Sequence, residues 1–542
     1  MSFHSAEITR QHLKFILLIV AAVMLVYSNS LGNGFILDDY PHIIENVFIT
    51  QWNSILHVFT TDLFHFSPQI TNFYRPLQVL SYMLDYSFWQ YNAFGYHLTN
   101  MLLHLFNSIL VYMLIWMMSK NKKLSFMTGL LFAVHPIHTQ AVTYISGRAD
   151  PMAAFFMLTG LIAYIRSRDI RERSKEKTFF NVISIVCFVC ALLSKEISLI
   201  FPFLLMLYEY CFPQEKKETR RFPGYFLFFL FLGGYLYLRL SFLWFTGPDA
   251  STHGEGLSLR LLTVPKIIIS YIWLLIFPVK LHIDRYVPWV ESFLCVEVII
   301  PGLILCVIGA AVAALRQYSK LLFFFTLWFF LLLFPTLNII PVNAAQAEHW
   351  LYLPSVGFFV IIAFFIDKSI KSKRYVFRGG AVLLLTAFLL SLSIATIRRN
   401  SDWSNEIEFY KKTIEYSGQW NIDRTNCNLA LAYYRDGQYD KAMEQAKETL
   451  KINPDYPEAL CLIGVLYGTN KEYDKSIEAL KKAIEVLPGY VKAYNNLGIT
   501  YAKKGELVQA IEVWKKIIEY DPDYVPAEIN IIKAKKMLKN QE

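Results

Sequence analysis

The sequence predicts an all-α protein in two parts, a polytopic membrane helical bundle over residues 1–399 and an α-solenoid of helical repeats over 400–542. Three observations predict it. Apolar runs near the roughly 20-residue spanning length recur between residues 15 and 397. No such run occurs from 402 onward. In that last stretch prolines and aromatic residues return every 34 positions instead.

Composition agrees with this division. At 542 residues, 55% hydrophobic and 18% charged, the chain has a membrane composition and room for more than one domain. The net charge of +9 is unevenly placed: residues 402–542 carry 20 Lys and Arg against 22 Asp and Glu, leaving 32 against 21 in the membrane part. Those bases lie in short loops at 120–123, 166–177, 216–221 and 368–378, which the positive-inside rule keeps cytoplasmic. This placement excludes a nucleic-acid reading of the basic balance. The seven cysteines are scattered singly, so no disulfide framework is expected. Cys187 and Cys190 have redox spacing but lie inside an apolar run, where packing is the better reading.

Candidate spans fall near 15–31, 97–118, 124–141, 151–165, 178–193, 197–212, 222–245, 263–280, 295–315, 321–337, 351–367 and 379–397. The first is too long for a signal-peptide core and lacks a small-residue cleavage site, so it reads as a retained span. Twelve crossings would place the basic tract 368–378 outside, so one run does not cross. The stretch 263–280, bracketed by Pro265 and Pro278, is expected to be re-entrant or interfacial. About eleven crossings remain, with a large outer loop at 32–96 and the C-terminal domain outside.

In the C-terminal part, Pro454, Pro488 and Pro522 share one register, as do Tyr433, Tyr467 and Tyr501, and Leu429, Ile463 and Leu497. Ala430, Gly464 and Gly498 place a small residue where paired helices approach. The pattern resembles the tetratricopeptide repeat, with units near 421–454, 455–488 and 489–522 and a partial one before 421.

The polar residues beside the spans gather on the outer face. The outer loop opens with Leu37-Asp38-Asp39-Tyr40, an acidic pair able to act as general base or metal ligand, or simply to cap a turn. His97, Asn100, His104 and Asn107 lie on one helical face, as the wall of a site or as interhelical hydrogen bonds. The same face receives Arg75, His135 and His138, Arg148 and Asp150, Lys195 and Glu196, and Glu348, His349 and Tyr352. Carboxylates beside Arg, Lys and His at a membrane surface suit a phosphate-bearing lipid substrate. A lipid-linked phosphatase or a transporter would satisfy that chemistry equally.

The set Leu37-Asp38-Asp39, Arg75-Pro76-Leu77, the 97–107 stripe, His135-Pro136-Ile137-His138, Gly147-Arg148-Ala149-Asp150, Lys195-Glu196 and Glu348-His349-Trp350-Leu351-Tyr352 resembles the transmembrane and tetratricopeptide repeat-containing family. That family belongs to the C-type glycosyltransferase superfamily, and its members are protein O-mannosyltransferases using dolichyl-phosphate mannose. The resemblance implies Asp38 and Asp39 as the catalytic carboxylates. It implies phosphate or sugar contacts for Arg75, Arg148, Lys195 and His349, with His97, His135, His138, Asp150, Glu196, Glu348 and Tyr352 lining the substrate site. His349 departs from the Arg expected in an Ala-Glu-Arg motif, and the repeat array is short beside those of animal members. A bacterial relative fits, with a bacterial polyprenyl phosphate and a sugar other than mannose allowed.

The expected function is therefore an inverting glycosyltransferase moving a sugar, mannose first, from a polyprenyl or dolichyl phosphate to a protein Ser or Thr hydroxyl. No cofactor and no metal are expected. The expected partners are the lipid-linked sugar, membrane lipid and a protein acceptor held by the repeats, with no nucleic acid. The expected location is a bacterial inner membrane with active face and repeats periplasmic, or an endoplasmic reticulum membrane with lumenal repeats. A membrane scaffold with partner-binding repeats and a lipid-linked-sugar transporter are the alternatives; the transporter would place ionisable groups at mid-membrane rather than on one face.

Overall fold

A computed structural model describes residues 3–63, 73–170, 174–213, 224–242, 256–283, 285–339, 344–417, 422–520 and 524–540. The basic loop at 216–221 and Pro522 lie outside the described residues. Regular structure is helical among them, apart from an isolated antiparallel bridge between Arg285 and Gln346. The chain divides into two compact units between Asn405 and Glu406, beyond the expected 399, because the last helix of the first unit runs on to Asp402.

The first unit contains α1 (Phe3–Tyr27), a short α2 (Ile55–Val58), α3 (Pro76–Trp89), α4 (Ala93–Ser119), α5 (Lys122–Val134), a short α6 (Thr139–Val142), α7 (Ala149–Asp169) and α8 (Lys175–Leu192). It continues with α9 (Phe201–Cys211), α10 (Phe226–Tyr237), α11 (Leu257–Ile276), α12 (Val296–Tyr318), α13 (Lys320–Leu333), α14 (Ser355–Ile370) and α15 (Tyr375–Asp402). Each expected apolar run contains a helix, although the run 124–141 breaks after Val134. Those at 11–32, 93–119, 257–276, 296–318 and 376–402 are long and apolar enough to cross a membrane. Asparagine and serine start several of them: Asn92 accepts from the Phe94 N–H, Asn121 from Lys123 and Leu124, and Ser174 from Lys177. A continuous apolar core joins α1, α4, α5, α7, α8, α13 and α14, with many aromatic members such as Phe132, Phe201 and Trp328.

The proline bracket does not break α11. Pro265 sits inside a continuous 20-residue helix, and Pro278 follows its end. It packs on α12 and bonds to connecting segments. Thr263 Oγ1 accepts from the Val290 N–H at 3.1 Å, Tyr271 Oη from the Ala347 N–H at 3.1 Å, and Leu275 O meets His135 Nε2 at 3.2 Å. Cys187 and Cys190 remain free thiols on α8, and the Cys187 side chain packs against Gly160 of α7.

The second unit is a stack of helix pairs: α16 (Glu406–Ser417) alone, then α17 (Ile422–Arg435) with α18 (Tyr439–Ile452), α19 (Pro457–Thr469) with α20 (Tyr473–Val486), α21 (Val491–Lys504) with α22 (Leu507–Tyr520), and α23 (Val525–Lys539). The 34-residue period becomes geometry. Gly437, Lys471 and Gly505 hold the same left-handed turn between paired helices, with φ of 77°, 64° and 95°. Lys441 stacks over Tyr433 and Lys475 over Tyr467 at equivalent places.

Candidate active site

The acidic pair sits in a pinned turn. Leu37 is forced into the left-handed region at φ 54°, a strained position for a branched side chain, and its neighbours face opposite ways. Asp39 is enclosed. Its Oδ1 accepts from the Ser146 N–H at 2.9 Å and the Ser146 hydroxyl at 2.6 Å, and its Oδ2 from the Ile36 N–H at 3.0 Å. Asp38 is exposed, and its N–H donates to the Tyr144 hydroxyl at 3.1 Å. Tyr144 is in turn stacked on Trp403, with ring centroids 5.4 Å apart. Burial pushes the Asp39 carboxyl up to about 7 against the pull of its three hydrogen bonds. His42, held by Ser146 at 3.1 Å, is pushed down to about 4, chiefly by burial, and feels the charges of both Asp38 and Arg75.

The turn that receives Asp39 is fixed by close packing. A Cβ on Gly147 would stand 2.3 Å from the Gln140 carbonyl oxygen, so only glycine lets the 145–148 turn approach the α6 backbone. This turn leads directly into α7 and places Asp150 in its first turn.

Beside the acidic turn lies a cation cluster. Arg75, at the start of α3, pairs with Glu196 through Nε at 3.2 Å and Nη2 at 3.0 Å. Lys195, just past α8, pairs with Asp150 at 2.6 Å. The side chains of Arg75 and Glu196 keep 13% and 22% exposure, so this pair is reachable from solvent. Burial raises the Glu196 carboxyl, but Arg75 and Arg239 outweigh it and the net shift is downward. Burial lowers Lys195, with Asp150 opposing. His349, before α14, is held well below its usual value by burial and by Lys195 and Arg75, so it stays neutral near pH 7.

The other expected contacts are enclosed, and most of them are held by the protein's own groups. Arg148 is fully buried. It pairs with Asp85 at 2.6 Å, bonds Asn100, Ser81 and the Tyr96 carbonyl at 2.7, 3.0 and 2.9 Å, and stacks over Tyr82. His135 meets the Leu275 carbonyl, and His138 bridges the Phe132 carbonyl and the Ser355 hydroxyl. Tyr352 meets His104 at 2.8 Å and accepts from Asn107 at 3.1 Å, so that part of the polar stripe knits α4 to the segment before α14. His97 is 2% exposed against the backbone of Asn33, Gly34 and Thr143. Glu348 accepts from the His282 N–H at 2.6 Å and pairs with Arg285 at 3.0 Å. Asp39 belongs with this enclosed group.

Arg239, Arg285, His42 and Tyr144 were missed by the sequence reading. Arg239 lies in the turn Leu238–Phe242 after α10, and charge parity alone would have placed it with the cluster. The other three carry no motif of their own.

Residues 53–219 match the family model "Dolichyl-phosphate-mannose-protein mannosyltransferase". Residues 430–471, 469–505 and 491–524 match tetratricopeptide-repeat models. The human "Protein O-mannosyl-transferase TMTC3" is 27% identical over 488 residues, covering 82% of this chain and 52% of its own length. The Drosophila melanogaster "Protein O-mannosyl-transferase Tmtc3" is 25% identical, covering 82% and 56%, and the human "Protein O-mannosyl-transferase TMTC1" is 25% identical with the same coverage. The chain spans about half the length of these relatives. With a mannosyltransferase-type membrane region, a short tetratricopeptide array and similarity across both, the chain is a relative of the transmembrane and tetratricopeptide-repeat protein O-mannosyl-transferases.

Proposed function

We propose that the chain transfers a sugar, mannose first, from a polyprenyl-phosphate donor to a Ser or Thr hydroxyl of a protein, on the face of the membrane opposite the basic loops. The observation that carries this reading is the exposed carboxylate of Asp38 together with the Arg75 and Glu196 pair, which keeps a path to solvent. The charges of both Asp38 and Arg75 reach His42.

Asp38 removes the proton from the acceptor hydroxyl as its oxygen attacks the anomeric carbon. The bond from that carbon to the phosphate oxygen breaks with inversion, and polyprenyl phosphate departs. Arg75 and Lys195 stabilise the departing phosphate, with Arg75 able to offer a bidentate grip once it exchanges Glu196 for phosphate. Side chains fill every role in this scheme, so it needs no metal. Asp39 holds the loop so that Asp38 faces outward. Taking α11, with Pro265 inside it and Pro278 just after it, as the helix that does not cross leaves eleven crossings and puts the repeats on the face opposite the basic loops. There the solenoid offers an acceptor protein a concave surface. The same arrangement serves a periplasmic face in a bacterium or a lumenal face in a eukaryote.

The test is incubation of the purified full chain with a panel of polyprenyl-phosphate sugars and an acceptor peptide rich in Ser and Thr. Release of polyprenyl phosphate matched by glycopeptide supports the reading. Donor binding without turnover across the panel overturns it in favour of a carrier or scaffold.

A further inference from the structure

The turn that carries Asp38 closes most of its backbone hydrogen bonds on itself. The N–H groups of Asp39, Tyr40 and His42 donate to the carbonyls of Ile36, Leu37 and Asp38 at 3.0, 3.2 and 3.0 Å. The Asp38 N–H instead finds its acceptor 106 positions away, in the Tyr144 hydroxyl. Among the described residues that hydroxyl has no hydrogen-bond partner other than Asp38.

Tyr144 is itself firmly placed. Its carbonyl accepts from the Asn100 side chain at 3.1 Å and from the Gly147 N–H at 3.1 Å. Its neighbour Thr143 donates to Asn400 Oδ1 at 2.6 Å. The Tyr144 ring lies nearly parallel to the Trp403 indole, with 19° between the planes. Trp403 follows the last residue of α15 and is 1% exposed, with the Arg399 guanidinium 5.3 Å from its ring centroid. Asn400, in the last turn of α15, donates to the Val26 carbonyl and to Asn29 at 2.8 and 3.0 Å, which ties that end of the helix to the end of α1. A chain of contacts therefore runs from α1 and α15 through Trp403 and Tyr144 to the backbone of Asp38.

Packing alone would be served by phenylalanine at 144. The hydroxyl adds a hold on Asp38, directly after the strained Leu37. Burial, and then the charges of Asp38 and Asp39, hold the phenol far above its ordinary value, so it stays neutral. A cation in its place would weaken the base it holds, whereas a neutral hydroxyl on the Asp38 N–H fixes the turn and leaves the carboxylate its charge.

We propose that Tyr144, braced by Trp403, is the positioning residue for Asp38: its hydroxyl holds the Asp38 N–H and so sets where the carboxylate meets the acceptor hydroxyl. The inference rests on the reading of Asp38 as the base.

The test compares Tyr144→Phe, Trp403→Leu, Trp403→Phe and Asp38→Asn in the purified full chain, supplied with polyprenyl-phosphate mannose and an acceptor peptide rich in Ser and Thr. Tyr144→Phe keeps the ring and removes only the hydroxyl. It should keep its unfolding midpoint and its donor KM while kcat falls by about 10- to 100-fold, since a misplacement of about 1 Å can cost the larger factor. Trp403→Leu should lower kcat likewise, and Trp403→Phe, which keeps a ring against Tyr144, should recover most of that loss. Combining Tyr144→Phe with Trp403→Leu should cost little more than the larger single loss, because both act through one contact. Full kcat in Tyr144→Phe, or a raised KM with kcat intact, overturns the proposal. Multiplication of the two losses in the double variant overturns the bracing by Trp403. If Trp403→Leu does not fold, Tyr144→Phe decides alone. Full transfer by Asp38→Asn removes the base and the proposal with it, whereas loss in Asp38→Asn beside full transfer in Tyr144→Phe overturns the positioning role only.

Discussion

Two layers of the same end of the bundle treat charge in opposite ways. In the enclosed layer, Arg148 and Asp39 are each held by several partners, Ser81, Asp85, Asn100 and Ser146 among them, and act as joints between elements. In the open layer, Asp38 is exposed and the Arg75 and Glu196 pair keeps a path to solvent. The difference teaches that polar residues at the ends of membrane helices divide by what satisfies them. A fully satisfied group holds the site together, and a partly satisfied one is free to meet a ligand.

The comparison breaks most visibly at Arg148. Replacing it by Met leaves Asp85 buried without its counterion, a loss on the order of 3–5 kcal/mol. Thermal unfolding in detergent should show a large drop in midpoint, with poor recovery of folded protein. Arg75→Met should instead leave the midpoint near that of the parent and lower kcat/KM for the lipid donor by about 10- to 100-fold, the worth of one charge-assisted hydrogen bond. Equal destabilisation by the two substitutions would erase the distinction between the layers.

A subtler measurement concerns Asp39. Its folded-state carboxyl is raised to about 7, above the ordinary 3.8 of an aspartate, so between those values the folded protein keeps a proton that the unfolded chain has lost. Its contribution to stability is complete below the unfolded value and is lost as pH rises through the window from about 4 to about 7. The unfolding midpoint of the parent, measured against that of Asp39→Asn, should therefore decline across that window. A constant difference from pH 4 to 8 would show that Asp39 does not change protonation on unfolding. The smallest effect belongs to the repeat unit, where Lys471 holds a left-handed turn that Gly437 and Gly505 hold without strain. Lys471→Gly should stabilise that unit by up to about 1 kcal/mol, read from its denaturant midpoint.

The repeats were legible because a 34-residue period repeats identity and geometry together, down to Tyr433, Tyr467 and Tyr501. The common face of the site residues was legible because basic loops fix which end of each span is which. What the sequence could not divide was open from enclosed. Asp38 and Asp39 are identical side chains one position apart, and only Ser146, a residue remote in sequence, tells them apart. The partners of the histidines at 135 and 138, at Leu275, Phe132 and Ser355, are likewise visible only after folding. The prolines around α11 do not end it, since Pro265 sits inside a continuous helix.

The central claim rests on the exposed carboxylate. Asp38→Asn, purified beside the parent and supplied with polyprenyl-phosphate mannose and an acceptor peptide, should retain its unfolding midpoint and its donor binding. Its transfer rate should fall by about 100-fold or more, the scale of a lost general base. Full transfer by a folded Asp38→Asn protein would contradict the account and leave the acidic turn a structural feature.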